Sequence, residues 1–524
     1  MKTDRLTLAS LCYLYVPIGL FLIFWIKPFL ALPLTVLLAV GIRYFVRQPV
    51  CNASRGSAFS RTEWLILATG ALFWAWVSGI GAFVPQYGDY DKHNLVFHDL
   101  ITHPWPVVYQ NDRFNDPFLC YYLAYYLPTA AVVRLFHLSF ETAEWVSFLW
   151  GWLGVWLALG WAARLSKNYR VWIAVGLPFL SGVEVLLRLF WSLYIDFHWQ
   201  LPAWLRAVFQ NRIPGYTRYE TPRLAFSNQN FAQSIDPAPL IMQLQAVPQH
   251  ALGGWIAMGL LVFWQRRKAS PVALAFVVVA TLLWSPFVTI GLGLWLLFTE
   301  KKLHRLTSES QPVFLAGSLL LMGLLGSFYH AHFPILYRGF IFEAFEKPAD
   351  PVLYIVYWGF QLWVGALLFR WYNRQTGGMH TGERMILTAA VSMQVLSLVY
   401  MGRWNDFQNR TMIPAQFLYY LVLANGFVHW LLSPKRTVSG WFLAAWVVIG
   451  LYVPCRVLAY KLWSIHVPQP ITRSMEKATT NFGETDMSRM RPHETIDAGT
   501  DYAAQYVGRR DSFFYRYLLR KAID

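Results

Sequence analysis

The stretch that decides the fold runs from residue 9 to residue 46 and reads ASLCYLYVPIGLFLIFWIKPFLALPLTVLLAVGIRYFV. It holds two apolar runs, 9–26 and 29–46, which are separated only by Lys27 and Pro28. A helix needs about 20 mostly apolar residues to cross a bilayer. The pattern therefore predicts two transmembrane helices joined by a tight turn. Because a second run follows at once, the first is interpreted as a retained anchor rather than a cleaved signal peptide.

The composition extends this prediction to the whole chain of 524 residues. Hydrophobic residues make up 56% and charged residues only 14%, whereas soluble domains carry about 25% charged residues. These values exclude a disordered chain, a collagen and an ordinary cytosolic enzyme. The four cysteines, Cys12, Cys51, Cys120 and Cys455, show neither disulfide nor metal-site spacing.

Further apolar runs along the chain predict an all-α, polytopic transmembrane bundle of about 13 helices. The additional runs are 63–84, 143–163, 171–193, 249–265, 270–284, 285–299, 312–330, 351–370, 384–402, 411–432 and 438–458. The pair 270–284 and 285–299 is short, with Pro286 at the bend, and is typical of helices that enter the membrane from one side without crossing it fully.

The basic residues predict the orientation. The net charge of +16 is interpreted as a topological signal, because Lys and Arg collect in cytoplasmic loops, and not as a nucleic-acid-binding surface. The bias requires a cytoplasmic N-terminus and requires that segment 118–137, FLCYYLAYYLPTAAVVRLFH, does not cross. We therefore expect an interfacial or re-entrant helix there. The predicted protein is a multi-pass protein of the cytoplasmic (inner or plasma) membrane whose site faces outward.

Four consecutive regions describe the predicted organisation. Residues 1–62 hold two transmembrane helices and a cytoplasmic loop, and residues 63–330 form a transmembrane module with outer loops at 85–142 and 194–248. The last two regions are the transmembrane helices of 331–458 and an outer tail at 459–524. The tail ends in an amphipathic stretch that is expected to form an interfacial helix on the membrane surface.

The first outer loop carries the densest group of charges. Asp89, Asp91, Lys92 and His93 fall within five residues, next to a predicted spanning helix, and Arg113 follows in the same loop. Charge at a membrane boundary is costly to desolvate, so this cluster is a predicted functional site. One of the carboxylates can act as a general base, and the two acids together can bind a divalent cation. Lys92, His93 and Arg113 can pair with a phosphate. The plain alternative is a solvated loop that ends the helix.

Two smaller groups are further candidates for substrate binding. Arg403, Asp406 and Arg410 lie in a short outer connection, where two arginines can clamp a phosphate or pyrophosphate, or can simply reach to the membrane interface. His250 stands at the outer start of another helix and can hydrogen-bond an oxyanion. A lone interfacial histidine is more often paired within the protein.

Several of these patterns together resemble the GT-C superfamily of membrane glycosyltransferases, over roughly residues 63–330. The arrangement Gly88-Asp89-x-x-x-His93 is similar to its first-loop signature. Asp116-Pro117-Phe118-Leu119 with the following YYLAYYLP resembles the interfacial helices after that loop. The basic residues of 164–170 and the short pair 270–299 with its closing Lys-Lys fit as well. Asn405-Asp406-Phe407 through Arg410-x-x-x-Pro414 resembles bacterial members of unassigned specificity.

The resemblance implies transfer of a sugar from a polyprenyl-phosphate donor to a lipid- or glycan-linked acceptor at the outer face, usually with inversion. The first-loop acid of the superfamily serves as base or metal contact. Asp89 matches that acid best, and Asp91 is the alternative. A divalent cation, Mg or Mn, is the only cofactor implied, and Tyr90 stands where a second acid often follows.

Three other functions remain open on the sequence alone. A transporter would carry polar residues on broken helices near the middle of the membrane in two related halves. Here the acids gather at one face, and no internal repeat is visible. Other envelope transferases, such as an O-acyltransferase or an O-antigen polymerase or ligase, also work at the membrane rim. A non-catalytic assembly protein is the third alternative.

Overall fold

The structure is a computed structural model. It describes residues 4–47, 58–86, 89–110, 115–183, 185–186, 189, 193, 198–209, 238–300, 312–334, 338–345, 350–377, 380–402, 405–466 and 505–521.

Helices dominate the described residues, and the strands are two or three residues long. In the first half of the chain the elements are α1 (Arg5–Trp25), α2 (Pro28–Arg47), α3 (Arg61–Val77), α4 (Tyr90–Thr102), β1 (Phe118–Leu119), α5 (Leu127–Leu135), α6 (Phe140–Leu165), α7 (Arg170–Gly176), α8 (Leu201–Phe209), α9 (Leu240–Ala246) and α10 (Pro248–Arg266). They continue with α11 (Pro271–Val279), α12 (Pro286–Thr299), α13 (Pro312–His330), β2 (Arg338–Phe340), α14 (Asp350–Trp358), α15 (Gly365–Thr376), α16 (His380–Leu396), β3 (Val399–Met401), α17 (Asp406–Thr411), α18 (Ile413–Leu432), α19 (Val438–Gly450), α20 (Tyr452–His466) and β4 (Val507–Gly508).

The predicted class, an all-α transmembrane bundle, is confirmed at this level. Within the described residues, seven helical segments are long and apolar enough to cross a membrane: Arg5–Trp25, Pro28–Arg47, Phe140–Leu165, Pro312–His330, Asp350–Thr376, Ile413–Leu432 and Val438–Ile465. All seven coincide with apolar runs of the sequence. A π-helical turn, Gly359–Val364, joins α14 to α15 inside one of these segments.

The chain divides into two compact units that interleave along the sequence. Unit 1 comprises Met1–Trp161, Leu244–Leu336 and Ile465–Asp524, and unit 2 comprises Ala162–Gln243 and Tyr337–Ser464. The four consecutive regions expected from the sequence do not follow this division. The reason is that helices distant along the chain pack together, which hydropathy cannot register.

The centre of unit 1 is α10, whose residues from Pro248 to Trp264 are all buried. Glycines let neighbouring helices approach it closely. A Cβ at Gly259 would lie 2.4 Å from the Cβ of Trp161, and one at Gly253 would lie 3.0 Å from the Cβ of Trp284. Such small-residue contacts are a general means of packing helices within a bilayer.

The short helices α11 and α12 are separated at the bend that the sequence predicted before Pro286. Each helix begins with a serine cap followed by proline: Ser270 accepts from the Ala273 N–H at 3.2 Å, and Ser285 accepts from the Val288 N–H at 3.2 Å. Between the helices, the indole of Trp284 donates to the Leu14 carbonyl at 3.1 Å. The Leu283 carbonyl accepts from the Ala124 N–H. The turn of this pair therefore packs against the middle of α1 and against segment 118–137, here called the tyrosine-rich segment.

Two helices are shorter than the sequence predicted. In the run 63–84 the α-helix ends at Val77, because Gly79 and Gly81 adopt left-handed φ values of 88° and 79° and turn the chain into a 3₁₀ turn over Ile80–Ala82. In the run 171–193, α7 ends at Gly176 and a 3₁₀ turn over Leu177–Phe179 follows, with Pro178 inside it.

Segment 118–137 forms no spanning helix. It begins as strand β1, continues as a 3₁₀ turn over Leu123–Tyr125 and ends in the nine-residue helix α5. A helix of that length is about 14 Å long, roughly half the hydrocarbon thickness. The expectation that this segment does not cross is consistent with its structure.

The described part of the tail, 505–521, is not the interfacial helix that its amphipathic pattern predicted. It contains strand β4, which pairs antiparallel with β1 so that Phe118 faces Gly508, and a π-helical turn over Phe514–Leu518. Its buried apolar side chains pack against other elements of unit 1, and they do so without forming a continuous helix.

Candidate functional site

The predicted acid–base cluster lies at the start of α4, in unit 1. Asp89 immediately precedes the helix, and the Nζ of Lys92 lies 3.4 Å from its Oδ1. The Asp89 side chain is 32% exposed and that of Lys92 is 13% exposed. A carboxylate in this position is also favoured by the partial positive charge of the helix N-terminus. The pair is therefore accessible, charged and held on a regular element.

The side chains of Asp91 and Arg113 are not among those that the structure describes. Asp91 belongs to the first turn of α4, but its side chain lies outside the described residues, as does Arg113. Asp89 is thus the member of the predicted acid pair whose side chain the structure describes.

His93 lies one turn further along α4 and is buried, with 1% of its surface exposed. Its Nε2 lies 2.9 Å from the Ala246 carbonyl, which can only accept, so Nε2 carries the proton. Its Nδ1 then accepts from the Tyr126 hydroxyl. The sequence predicted His93 as a substrate contact, but both ring nitrogens are bonded within the protein. His93 instead fixes α4 to the tyrosine-rich segment and to the residues before α10.

The Tyr126 hydroxyl stays protonated and keeps its role as donor. Burial raises the pKa of this hydroxyl well above its ordinary value, and the neighbouring tyrosines and Asp89 add to the increase. The sequence pattern placed Tyr126 in an interfacial segment and assigned it no role. The one feature of the sequence that could have indicated this role is the position of Tyr126. It lies in a segment that is not expected to cross the membrane, where a tyrosine hydroxyl can reach a buried polar partner.

His250 is described in the first turn of α10 and is 2% exposed. Its ring centroid lies 4.8 Å from that of Tyr122, which also neighbours Phe287 and Tyr329 at 6.2 and 6.1 Å. His250 follows Ala246, the acceptor of His93, by four residues. His250 and the cluster at the start of α4 are thus linked within unit 1, through the contact of His93 with Ala246.

Gln249 precedes His250 at the start of α10 and is fully buried. Neither atom of its amide has a hydrogen-bond partner among the described residues. An unpaired buried amide costs about 1–3 kcal/mol. A group able to satisfy both its donor and its acceptor would be stabilised here.

Asp99 is a second acid that no sequence motif singled out. It is fully buried near the end of α4, where its Oδ2 accepts from the Tyr109 hydroxyl at 2.7 Å and its Oδ1 lies 3.3 Å from Nδ1 of His98. Arg134 closes the same end by donating to backbone carbonyls, including that of His103. These contacts fix the far end of α4 and give Asp99 a structural explanation.

The remaining predicted residues belong to unit 2. The guanidinium of Arg410 lies 3.0 Å from Oδ1 of Asp406, one turn earlier on the short helix α17. Asp406 is 36% exposed and Arg410 is 14% exposed. Arg403 lies outside the described residues. A phosphate binding Arg410 would therefore compete with Asp406 for its donors.

The residues described do not assemble a metal centre. Within the described part of the chain, no group of three or more His, Cys, Asp and Glu side chains is arranged to hold a metal ion. The donor set that is described, Asp89 beside a lysine, suits a charged base rather than a cation ligand.

Comparison of the chain with protein-family models, with curated proteins and with solved structures found no match.

Proposed function

We propose that this protein is a membrane glycosyltransferase that moves a sugar from a polyprenyl-phosphate donor to an acceptor hydroxyl at the extracytoplasmic face. The observation that carries the proposal is the Asp89–Lys92 pair, which is accessible at the start of α4 while the helix beneath it is fixed by buried polar contacts. A general base needs both features, since it must reach the acceptor and must be held in place.

Asp89 is the base in this proposal. An acceptor hydroxyl is a weak nucleophile near neutral pH, so its proton must be removed as the new bond forms. The acceptor oxygen attacks the anomeric carbon while the bond from that carbon to the phosphate oxygen breaks. The proton passes to the Asp89 carboxylate, and the electron pair of the broken bond leaves with the polyprenyl phosphate. A single displacement of this kind inverts the configuration of the sugar.

Lys92 supplies positive charge beside the base. The leaving group is an anion that needs cationic stabilisation and little protonation. Lys92 already contacts Asp89, so its ammonium group lies close enough to the base to interact with the donor phosphate as well. Arg113, Arg403 and Arg410 remain candidate phosphate ligands on the sequence, and only Arg410 has a described environment.

The test uses the full chain in lipid vesicles with a panel of undecaprenyl-phosphate hexoses and pentoses. A crude envelope extract supplies the acceptor, and release of free undecaprenyl phosphate reports transfer whatever the acceptor is. We expect wild-type protein to release the carrier and Asp89→Asn to slow release by about 10²- to 10⁴-fold, the usual contribution of a general base.

The matched control is Glu141→Gln, which removes an exposed carboxylate from the first turn of α6 in the same unit. It should keep wild-type activity. Full activity of Asp89→Asn would reject the assigned base. Movement of intact lipid-linked sugar across the vesicle membrane without release of the carrier would indicate the transporter alternative.

A further inference from the structure

Residues 505–521, here called the clasp, belong to unit 1 and contact its other elements along their whole length. The Cys120 N–H donates to the Tyr506 carbonyl at 2.9 Å, and strand β4 continues this pairing with β1. The Arg509 N–H then donates to the Ala331 carbonyl at 2.8 Å, just beyond α13. These are backbone contacts, so they fix the path of the clasp regardless of its side chains.

The clasp ends at the corner between α1 and α2. The Lys27 N–H donates to the Leu518 carbonyl at 3.1 Å, and the Arg520 N–H donates to the Trp25 carbonyl at 2.8 Å. Phe514 is fully buried beneath this turn, with its ring 5.1 Å from that of Phe328. Because Trp25 and Lys27 bracket the turn between two spanning helices, this corner lies where a bilayer changes from hydrocarbon to headgroups.

The helix that leads away from this corner exposes an apolar surface. Along α2, the side chains of Phe29, Leu32 and Val36 are 68, 63 and 62% exposed. Exposed apolar side chains along a spanning helix contact acyl chains. The clasp, which is joined to the first residues of this stretch, therefore meets the headgroups of the same leaflet.

The outward side of the clasp combines aromatic rings with positive charge. Phe513 and Tyr517 are 60 and 59% exposed, and their ring centroids lie 5.1 Å apart. Arg516 and Lys521 are exposed on the same segment. Half-wet aromatic rings favour the headgroup layer, and cations close to the surface attract anionic lipids by about 1 kcal/mol each.

We propose that this outward side of the clasp is a binding surface for anionic phospholipid headgroups. Arg516 and Lys521 contact the lipid phosphate, and the rings of Phe513 and Tyr517 lie among the glycerol and upper acyl groups. A zwitterionic lipid would satisfy the rings but not the charges, and inorganic phosphate would satisfy the charges but not the rings. This surface does not depend on the sugar-transfer reaction.

The experiment measures lipid preference of the full-length protein in nanodiscs that contain phosphatidylcholine with 0 to about 40% phosphatidylglycerol. Brominated phosphatidylglycerol or brominated phosphatidylcholine quenches tryptophan fluorescence, and competition between them gives the relative association constant. We expect wild-type protein to prefer phosphatidylglycerol. Arg516→Gln with Lys521→Gln should reduce that preference by about fivefold for each charge removed.

Two comparison variants separate the charges from the rings and from misfolding. Phe513→Ala with Tyr517→Ala removes the exposed rings and keeps both charges, so it should weaken association with both lipids and leave the preference between them unchanged. Arg516→Lys with Lys521→Arg keeps the charge and should retain it. An unchanged preference in the double glutamine variant would overturn the proposal. So would competition by inorganic phosphate as effective as that by the lipid, because it would show that the rings contribute nothing.

Discussion

At the scale of single residues, the candidate site contains a histidine whose two ring nitrogens are both hydrogen-bonded within the protein. His93 stands out in the sequence because it follows Asp89 by four residues, and the structure shows both of its ring nitrogens bonded within unit 1. Its polar chemistry is used to hold α4 in place. Asp89, at the start of the same helix, stays accessible.

Replacement of Tyr126 by phenylalanine tests this assignment. The change removes the hydroxyl that donates to Nδ1 of His93 and leaves a buried nitrogen without its partner, so the free energy of unfolding should fall by about 1–3 kcal/mol. Carrier release should fall as well, through kcat more than KM, because Asp89 loses its support. Thermal unfolding in detergent and the release assay provide the measurements.

Tyr44→Phe is the matched control, since the Tyr44 side chain is 52% exposed on α2. If Tyr126→Phe were as stable and as active as this control, the link from His93 to Tyr126 would have no importance for the site.

At the scale of elements, the central helix α10 depends on glycine where neighbouring tryptophans approach it. Gly259 leaves no room for a methyl group beside Trp161, and neither residue can move easily because both are buried. Helices at such positions tolerate only the smallest side chain, whereas glycines that face lipid carry no such restriction.

Gly259→Ala should therefore destabilise the protein by about 1–3 kcal/mol, the usual cost of overpacking a buried contact. Gly293→Ala is the comparison, because a Cβ at Gly293 in α12 meets nothing within 4 Å. It should be neutral or slightly stabilising, since alanine favours helix more than glycine does. Parallel thermal unfolding of the two variants checks this, and equal melting temperatures would contradict it.

At the scale of the whole molecule, the orientation across the membrane follows from the distribution of basic residues and remains a prediction. It places the clasp outside and the α18–α19 connection inside. In a background without native cysteines, Phe513→Cys should react with a membrane-impermeant maleimide added to intact cells. Lys435→Cys should react only after the membrane is permeabilised. The reverse pattern would invert the topology and place Asp89 on the cytoplasmic side.

Seven helical segments that are long and apolar enough to cross a membrane could be predicted, because hydropathy is local. A run such as 9–26 is apolar enough to span a membrane on its own. Glycines and prolines near the end of a run change only the residue at which the helix ends. The short pair α11–α12 could be predicted for the same reason, because its prolines and the lengths of its apolar runs are local features of the sequence.

The contacts that build the candidate site could not be predicted, because they join residues far apart in the chain. Tyr126 is 33 residues from His93, and Ala246 is 153 residues from it. Strand β1 pairs with β4 over two residues that carry no strand pattern of their own.

The sequence alone determined that this chain is a helical membrane protein and which short group, Asp89 to His93, is rich enough in charge to attract attention. Hydrophobicity and local charge are properties of neighbouring residues, so they can be read directly. Only the tertiary structure decided that Asp89 stays accessible while His93 becomes a buried support, and that residues 505–521 pack as a clasp instead of forming a continuous helix. Burial depends on which distant residues arrive at the same place, and packing alone determines that.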